Sequence, residues 1–560
     1  MPHLGLGKTL FNSSVCYMTD DENLEILLTE RLTRKKGSGL WPTTALKELA
    51  SRYDLSTAGI VENRDVEDPA RIETAMNLQF PFFDYLKANN LEKFSRHFNS
   101  EIRFATHHAA HACAAAFMSP FEKTLILVID GAGSRVNFFS PEHPERNLLG
   151  ISPDAAEERS LYFLNNGTIT CAEKKMQVFS KSARYPSHFF SQGLGTFYEK
   201  ASEFVFNSKR SAGKVMGLAA LGRATKVTDS KSYFENLNWA HQYKGNSKKE
   251  WEESPNFQMY CNLSADVQSY FEEDYIGYIK KLKQTYPEYT NLIIAGGCAL
   301  NCTSNMKLFN LGLFENIYIP PFPGDESIGL GTAYMSYLNA NNSWRANPYE
   351  KQHGYFGPLT SVPTDDAVIR EFAGYEIVKP PSITEFTADL LAEGHILGWF
   401  QGRSESGPRA LGNRSILCRP DKPGVKDQLN KQIKFRESFR PYGCSTLHEK
   451  SHRYFEVPEN FENPYMSFAT KVRADFRMPL GEVSHVDGTS RMQTVRVTQN
   501  KLFHELILKF GNKTDLYVLL NTSLNVMGEP IVESLADARN FLDKVPVYGL
   551  AVGEFFVRRK

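Results

Sequence analysis

His107 and His111 sit four positions apart in the Ala-rich run Thr106-His-His-Ala-Ala-His-Ala-Cys-Ala-Ala-Ala-Phe117. Alanine favours helix, and helical residues four apart share a face with Cβ atoms about 5–6 Å apart. Two neutral imidazoles so placed can converge on one cation. The spacing matches that of H-E-x-x-H, but the Glu that would act as base is missing, which excludes zinc-protease chemistry. Asp130 and Asp325 each stand near the end of a strand-like run beside a Gly-containing turn and offer oxygen ligands. A set of His107, His111, Asp130 and Asp325 suits a divalent transition metal such as iron or manganese better than calcium. The plainer alternative, helix-surface histidines and two capping aspartates, stays open on spacing alone.

A second group is cationic. The stretch Gly402-Arg-Ser-Glu-Ser-Gly-Pro-Arg-Ala-Leu-Gly-Asn-Arg-Ser415 packs three Arg and three Ser among Gly and Pro directly after a strand-like run. Arg409 and Arg414 there can form bidentate contacts to phosphate, and loop amides can form a concave anion nest. Lys434 and Arg440 follow in a segment of cations interleaved with aromatics. Arg491, Asn521 and Ser523 add donors at strand ends. The alternative is a solvated basic loop held by salt bridges. Glycine motifs at Gly193–Gly195, Gly213-Lys214 and Gly296-Gly297, the last running on to Asn301, permit close backbone approach to a ligand. Gly213-Lys214 is not a P-loop, since the spacing GxxxxGK[ST] is absent.

Elements that position these groups follow from the apolar pattern. Thr124–Asp130, Asn291–Ala295 and Ile317–Pro320 are short β-branched runs ending in small residues or a carboxylate, where parallel sheets place ligands. A helix is expected over Thr384–Glu393, and strands over His395–Phe400, Leu516–Leu520 and Tyr548–Val557. Strand-like runs alternating with helical ones favour an α/β architecture. The composition turns Asn-rich and then Pro/Gly-rich between Leu338 and Pro363, which places the main boundary there. Two unequal α/β bodies result, residues 1–355 and 356–560.

The 560 residues carry 64 Lys+Arg against 64 Asp+Glu, and 41% are hydrophobic. Wholesale disorder is excluded, and a large nucleic acid is disfavoured as a partner because non-specific binding needs excess positive charge. The longest apolar stretch, Thr124–Asp130, is far short of the about 20 residues that span a bilayer. The N-terminus lacks the basic and apolar regions of a signal peptide. Eight Cys without a CxxC pair read as reduced thiols of a cytoplasmic protein.

With both groups in view, the sequence resembles the NodU/CmcH carbamoyltransferase family. Carrying the resemblance are Glu30–Lys36, His107–His111, Val128–Gly131, Gly213–Ala220, Gly296–Asn301, Gly407–Gly412, Phe439–Pro441 and Leu520–Asn525 with Gly528–Ile531. The resemblance implies an actin-like (ASKHA) two-lobed ATPase-type domain followed by a YrdC-like α/β domain. It implies that the second domain makes carbamoyl adenylate from carbamoyl phosphate and ATP. The first would transfer the carbamoyl group to a hydroxyl or amine of a small-molecule acceptor beside a divalent metal (iron, manganese or magnesium). Motif by motif, His107, His111, Asp130 and Asp325 fall at metal positions. Arg409, Lys434, Arg440, Arg491 and Asn521 fall at phosphate or nucleotide positions. The residue pattern itself adds Ser523, Gly296, Gly297, Asn301 and Lys214 as expected binding residues. Asp130, Arg409 and Lys434 are the expected catalytic groups. A homodimer is compatible with a large apolar protein of this type.

One departure stands out. The family carries a His after the first strand that looks like the base for the acceptor. Here the run is Leu10-Phe11-Asn12-Ser13-Ser14, which puts Phe11, or Asn12 in a slipped register, at that position; neither takes a proton near neutral pH. Three explanations stand: an amine acceptor, another base such as His3 or His108, or a transfer half that is silent or retuned. A sugar-kinase or chaperone-like ATPase, a binding protein without turnover, and a carbamoyltransferase acting on a nucleotide or nucleobase remain alternatives. The acceptor pocket is expected in the segments Ser51–Arg96 and Lys226–Glu273.

Overall fold

A computed structural model describes residues 2–9, 12–19, 23–39, 41–55, 57–64, 102–136, 155–182, 184–185, 187–245, 247–341 and 353–560. The chain divides into two compact units. The first comprises Met1–Thr33 and Gly37–Glu350, the second Arg34–Lys36 and Lys351–Lys560. Three residues near the N-terminus, Arg34–Lys36, thus depart from a division made by residue number alone.

The first unit is built on two five-stranded sheets. One holds β1 (His3–Gly7), β2 (Ser14–Met18), β3 (Leu24–Leu28), β4 (Gly59–Arg64) and β5 (Ile102–Thr106) in the order β3-β2-β1-β4-β5. The other holds β6 (Lys123–Ile129), β7 (Ala156–Asn165) and β8 (Thr168–Gln177). After a small ribbon of β9 (Ser180–Lys181) and β10 (Phe189–Phe190), it adds β11 (Asn291–Ala295) and β12 (Asn316–Tyr318). Its order is β12-β11-β6-β7-β8. In both sheets the first three strands by sequence are antiparallel neighbours, and the last two run parallel to the first. This duplicated order is the actin-like arrangement.

Two helices exchange places between the sheets. His107–Met118 follows the first sheet but lays Ala109, Ala112, Ala115 and Ala116 on Ile126, Val128 and Ile293 of the second. Ile328–Asn341 follows the second sheet but packs on β1, β2 and β4 of the first. Their crossing needs small residues. A Cβ on Gly331 would stand 1.8 Å from the Ala110 carbonyl oxygen.

The second unit holds a nine-stranded mixed sheet. Its strands are β13 (Glu376–Val378), β14 (Leu397–Phe400), β15 (Arg414–Cys418), β16 (Gly443–Leu447), β17 (Thr470–Lys471), β18 (Thr489–Val495), β19 (Val518–Ser523), β20 (Gly549–Val552) and β21 (Phe555–Arg558). Their order is β13-β21-β20-β14-β15-β19-β16-β18-β17. The single strand expected over Tyr548–Val557 is instead the hairpin β20–β21, turned at Gly553 with φ +56°. On one face, Leu397, Trp399, Leu417, Leu447, Val495 and Leu519 pack under the helices Ile383–Ala392 and Lys501–Thr514. Two residues further along three of these strands, on the same face by the period of a strand, the chain is polar: Ser445, Gln493 and Asn521.

Candidate functional site

Three parallel strands, β6, β11 and β12, end side by side in the first unit. Beyond their carboxyl ends lie Asp130, Gly296-Gly297 and Asp325, and the helix His107–Met118 lies across the same sheet. Nε2 of His107 and of His111 lie 3.0 and 3.2 Å from Oδ2 of Asp130. Asp325 Oδ1 is 3.5 Å from the first and 3.8 Å from the second. All four ligand atoms lie within 4.8 Å of one another. The two ring nitrogens are only 3.2 Å apart, a repulsive contact between lone pairs unless a proton or a cation stands there.

The surroundings fit a cation. Asp130 Oδ1 accepts the backbone N–H of Gly131 (2.8 Å) and Gly297 (3.1 Å), which leaves Oδ2 aimed at the histidines. Gly296 serves this corner by absence, since a Cβ there, at φ +85°, would stand 2.2 Å from the Ile129 carbonyl. Ser327 Oγ donates to the Gly324 carbonyl (2.8 Å), so at 3.1 Å it accepts from His111 Nδ1–H. That tautomer leaves Nε2 with its lone pair towards the cluster. Burial alone would lower His111, but bonds to Asp130 and Asp325 raise it. Negative charge is in surplus here. Burial, together with the carboxylates of Asp130 and Asp325, pushes Glu199 up to about 7, and burial with Asp325 and Glu30 does the same for Glu326. Neither Glu stood out in the sequence; Glu199 lies beside Gly131 only through the packing of the helix Leu194–Phe206.

Other expected residues take different places. Asn301 caps the helix Cys302–Phe309 through Ser304 N–H (3.1 Å), and its amide donates to Tyr198 and Gln268. Lys214 lies on the helix Ala212–Ala219, its ammonium 5.1 Å from the Phe206 ring. His3 and His108 are both fully buried. His3 is bonded to Ser336 at 3.1 Å and His108 to Ser160 at 2.8 Å. Burial pushes His108 down to about 3. Phe11 lies outside the described residues, as does 65–96 of the segment expected to shape the acceptor pocket.

In the second unit the cations gather. Lys434 is buried with its ammonium among neutral oxygens: Ser523 O and Oγ, and Asn525 O and Oδ1. Burial, then the charges of Arg436, Lys36 and Arg440, hold it well below the usual ammonium range. Arg436 stacks on Tyr442 at 3.8 Å and is pushed down to about 10 by burial, with Arg440 and Arg491 adding to the effect. Arg440 lies 3.6 Å from Glu437. Arg491, Gly443 and Asn521 form one row across β18, β16 and β19, with no side chain on the middle strand. Asn521 donates to the Ala410 carbonyl at 3.1 Å and to Ser445 at 2.9 Å. Lys36 was unforeseen here. Arg34, at φ +58°, donates to the carbonyls of Ile531 (2.8 Å) and Pro530 (2.9 Å) and pairs with Asp537, holding the tripeptide Arg34–Lys36 in this unit.

The loop before β15 corrects two expectations. Three of its amides are not open to an external anion. Those of Leu411, Asn413 and Arg414 point at Glu405 Oε1, at 2.7, 2.9 and 3.2 Å. Arg414 is no phosphate ligand either. It is fully buried over the Phe400 ring at 3.5 Å and donates to the carbonyls of Gln401, Gly402, Asn413 and Ser361. Arg409 stays half-buried near the loop's tip, beside exposed Pro408.

The chain matches the family described as carbamoyltransferase N-terminus over residues 73–334 and that described as carbamoyltransferase C-terminus over 388–559. It is 33% identical over 469 residues to nodulation protein NolO of Bradyrhizobium diazoefficiens, covering 81% of this chain and 79% of that protein. It is also 33% identical to nodulation protein NolNO of Sinorhizobium fredii over 82% of this chain, and spans 64% of that relative's length. Identity to the 3'-hydroxymethylcephem-O-carbamoyltransferase of Amycolatopsis lactamdurans is 29%, over 76% of this chain and 82% of that protein.

Proposed function

The chain belongs to the carbamoyltransferase family, and from that premise we propose that it makes carbamoyl adenylate from carbamoyl phosphate and ATP and passes the carbamoyl group to a hydroxyl or amine of a small molecule. Carbamoyl phosphate, ATP and water give carbamoyl adenylate, phosphate and pyrophosphate. Attack of the adenylate by the acceptor then releases AMP. The observation that carries this reading is the cluster of Lys36, Lys434, Arg436, Arg440 and Arg491, whose like charges help push Lys434 and Arg436 down. Such repulsion is relieved by phosphates, and bringing two phosphorylated substrates together requires it.

Each residue then has a task. Arg409, Arg440 and Arg491 bind phosphate oxygens and stabilise charge on the transferring group, worth about 10²–10³ in rate per donor in comparable sites. Lys434, held by Ser523 and Asn525, supplies a charge whose place is set before the substrates arrive. Asn521 holds the Arg409 loop through Ala410. In the first unit His107, His111, Asp130 and Asp325 would hold a divalent metal, with Asp130 oriented by Gly131 and Gly297. A metal there supplies Lewis acidity towards the carbamoyl carbonyl. Eight free cysteines accord with the cytoplasm as its location, and no helix among the described residues is long and apolar enough to cross a membrane.

The test is product analysis. ATP with carbamoyl phosphate should yield pyrophosphate, and AMP once an acceptor is present. ADP would favour a kinase-like ATPase. Nucleotide binding without pyrophosphate, under every metal condition, would leave a silent binding protein.

A further inference from the structure

The residues 401–413 join β14 to its antiparallel neighbour β15, where Phe400 pairs with Arg414. Hairpin connections usually run 2–5 residues, and one this long has no fixed shape of its own. Here the backbone just after Arg409 is clamped from two sides. From within, Glu405, fully buried, accepts the amides of Leu411, Asn413 and Arg414 on a single oxygen, Oε1. From the sheet and its flank, Asn521 donates to the Ala410 carbonyl (3.1 Å), Gln493 and Tyr355 to that of Leu411 (2.9 and 2.8 Å), and Trp399 to that of Gly412 (2.9 Å). Gly412 closes the clamp at φ +108°, where a Cβ would stand 2.2 Å from the Phe503 ring. Every peptide group held this way lies after Arg409.

From this geometry we infer that Glu405 is a positioning residue for Arg409. Its carboxylate occupies the amide nest that an external anion would otherwise enter, and so fixes the backbone from which the Arg409 guanidinium extends. Charge-assisted bonds to three amides are stronger than neutral ones. A guanidinium on a fixed backbone loses little further freedom on binding phosphate, whereas one on a loose loop must be ordered each time. Glu405 touches no substrate in this scheme. The inference rests on the reading of Arg409 as a phosphate contact.

A double-mutant cycle on the full-length protein separates the two. KM for ATP and for carbamoyl phosphate, with kcat, is measured by pyrophosphate release in the parent, Arg409→Ala, Glu405→Ala and the pair, with melting temperatures alongside. Arg409→Ala and Glu405→Ala should each raise KM for one phosphorylated substrate about tenfold or more. In the Arg409→Ala background Glu405→Ala should cost less than about twofold, since residues acting through one another are not additive. Glu405→Gln keeps an oxygen for the amides and should recover most of the loss. An equal cost of Glu405→Ala in both backgrounds, or no recovery by Glu405→Gln, overturns the inference while leaving the Arg409 reading intact. Arg409→Ala with parental KM and kcat overturns both. Should Glu405→Ala fail to fold, Gln493→Ala, which removes one of the two side-chain donors named above for the Leu411 carbonyl, takes its place in the cycle.

Discussion

A single hydroxyl decides how His111 presents itself. Ser327 accepts its Nδ1–H and so turns the Nε2 lone pair towards Asp130 and Asp325. Ser327→Ala should lower affinity for Mn²⁺ or Fe²⁺ about 10–100-fold, read by titration calorimetry on metal-free protein; unchanged affinity would show that the tautomer is set elsewhere. His108, one position from the cluster, makes a different prediction. Burial pushes it down to about 3, so below its unfolded value near 6.5 the unfolded chain binds more protons and stability falls with pH. Its contribution is intact above about pH 6.5 and lost progressively towards pH 3. Between pH 7 and pH 5 the parent should lose about 1–2 kcal/mol more than His108→Asn, measured by denaturant unfolding at the two pH values. Identical losses would contradict this. The histidine pair was legible in the sequence because its spacing is helical and local. Ser327 was not, because no pattern sets its register against a helix 216 positions away. Arg409 and Arg414 look equivalent as residue types; only burial shows that Arg414 binds the loop's own carbonyls.

Elements carry the next set of consequences. The crossing of His107–Met118 with Ile328–Asn341 is so close that the Ala110 carbonyl fills the place of a Cβ on Gly331. Gly331→Ala must therefore push the helices apart, at a cost of about 1–3 kcal/mol typical of overpacking. Because His111 follows Ala110, the same change should also weaken metal binding. Thermal unfolding and bound metal after dialysis check both effects, and an unshifted melting temperature would refute the packing argument. The strands that deliver Asp130 and Gly296 were readable as β-branched runs ending in small residues or a carboxylate. The hairpin β20–β21 was not, since Gly553 and Glu554 interrupt an otherwise strand-like run by only two residues and the reversal depends on one positive φ. The exchanged helices were also out of reach. Apolar periodicity shows that a helix has a face to bury, not which of two similar sheets receives it.

On the scale of the whole molecule, the tripeptide Arg34–Lys36 is the least expected feature. The chain contributes three residues to the second unit, returns to the first at Gly37, and resumes the second only at Lys351. Lys36 is one of the charges that depress Lys434. Lys36→Ala in the full-length protein should weaken ATP binding about 3–10-fold, as loss of a charged contact does. It should also let Lys434 recover towards its ordinary value, because a like charge has gone. Calorimetric titration with ATP tests the first effect, and an affinity equal to the parent's would remove Lys36 from the site. The Asn- and Pro/Gly-rich stretch gives the sequence a compositional signal between Leu338 and Pro363, but a three-residue excursion has none. This excursion also bears on how such proteins can be recombined. A chimaera spliced near residue 350 would join one parent's basic tripeptide to the other's cluster of cations around Lys434, so the C-terminal unit is not a transplantable cassette unless residues 34–36 travel with it.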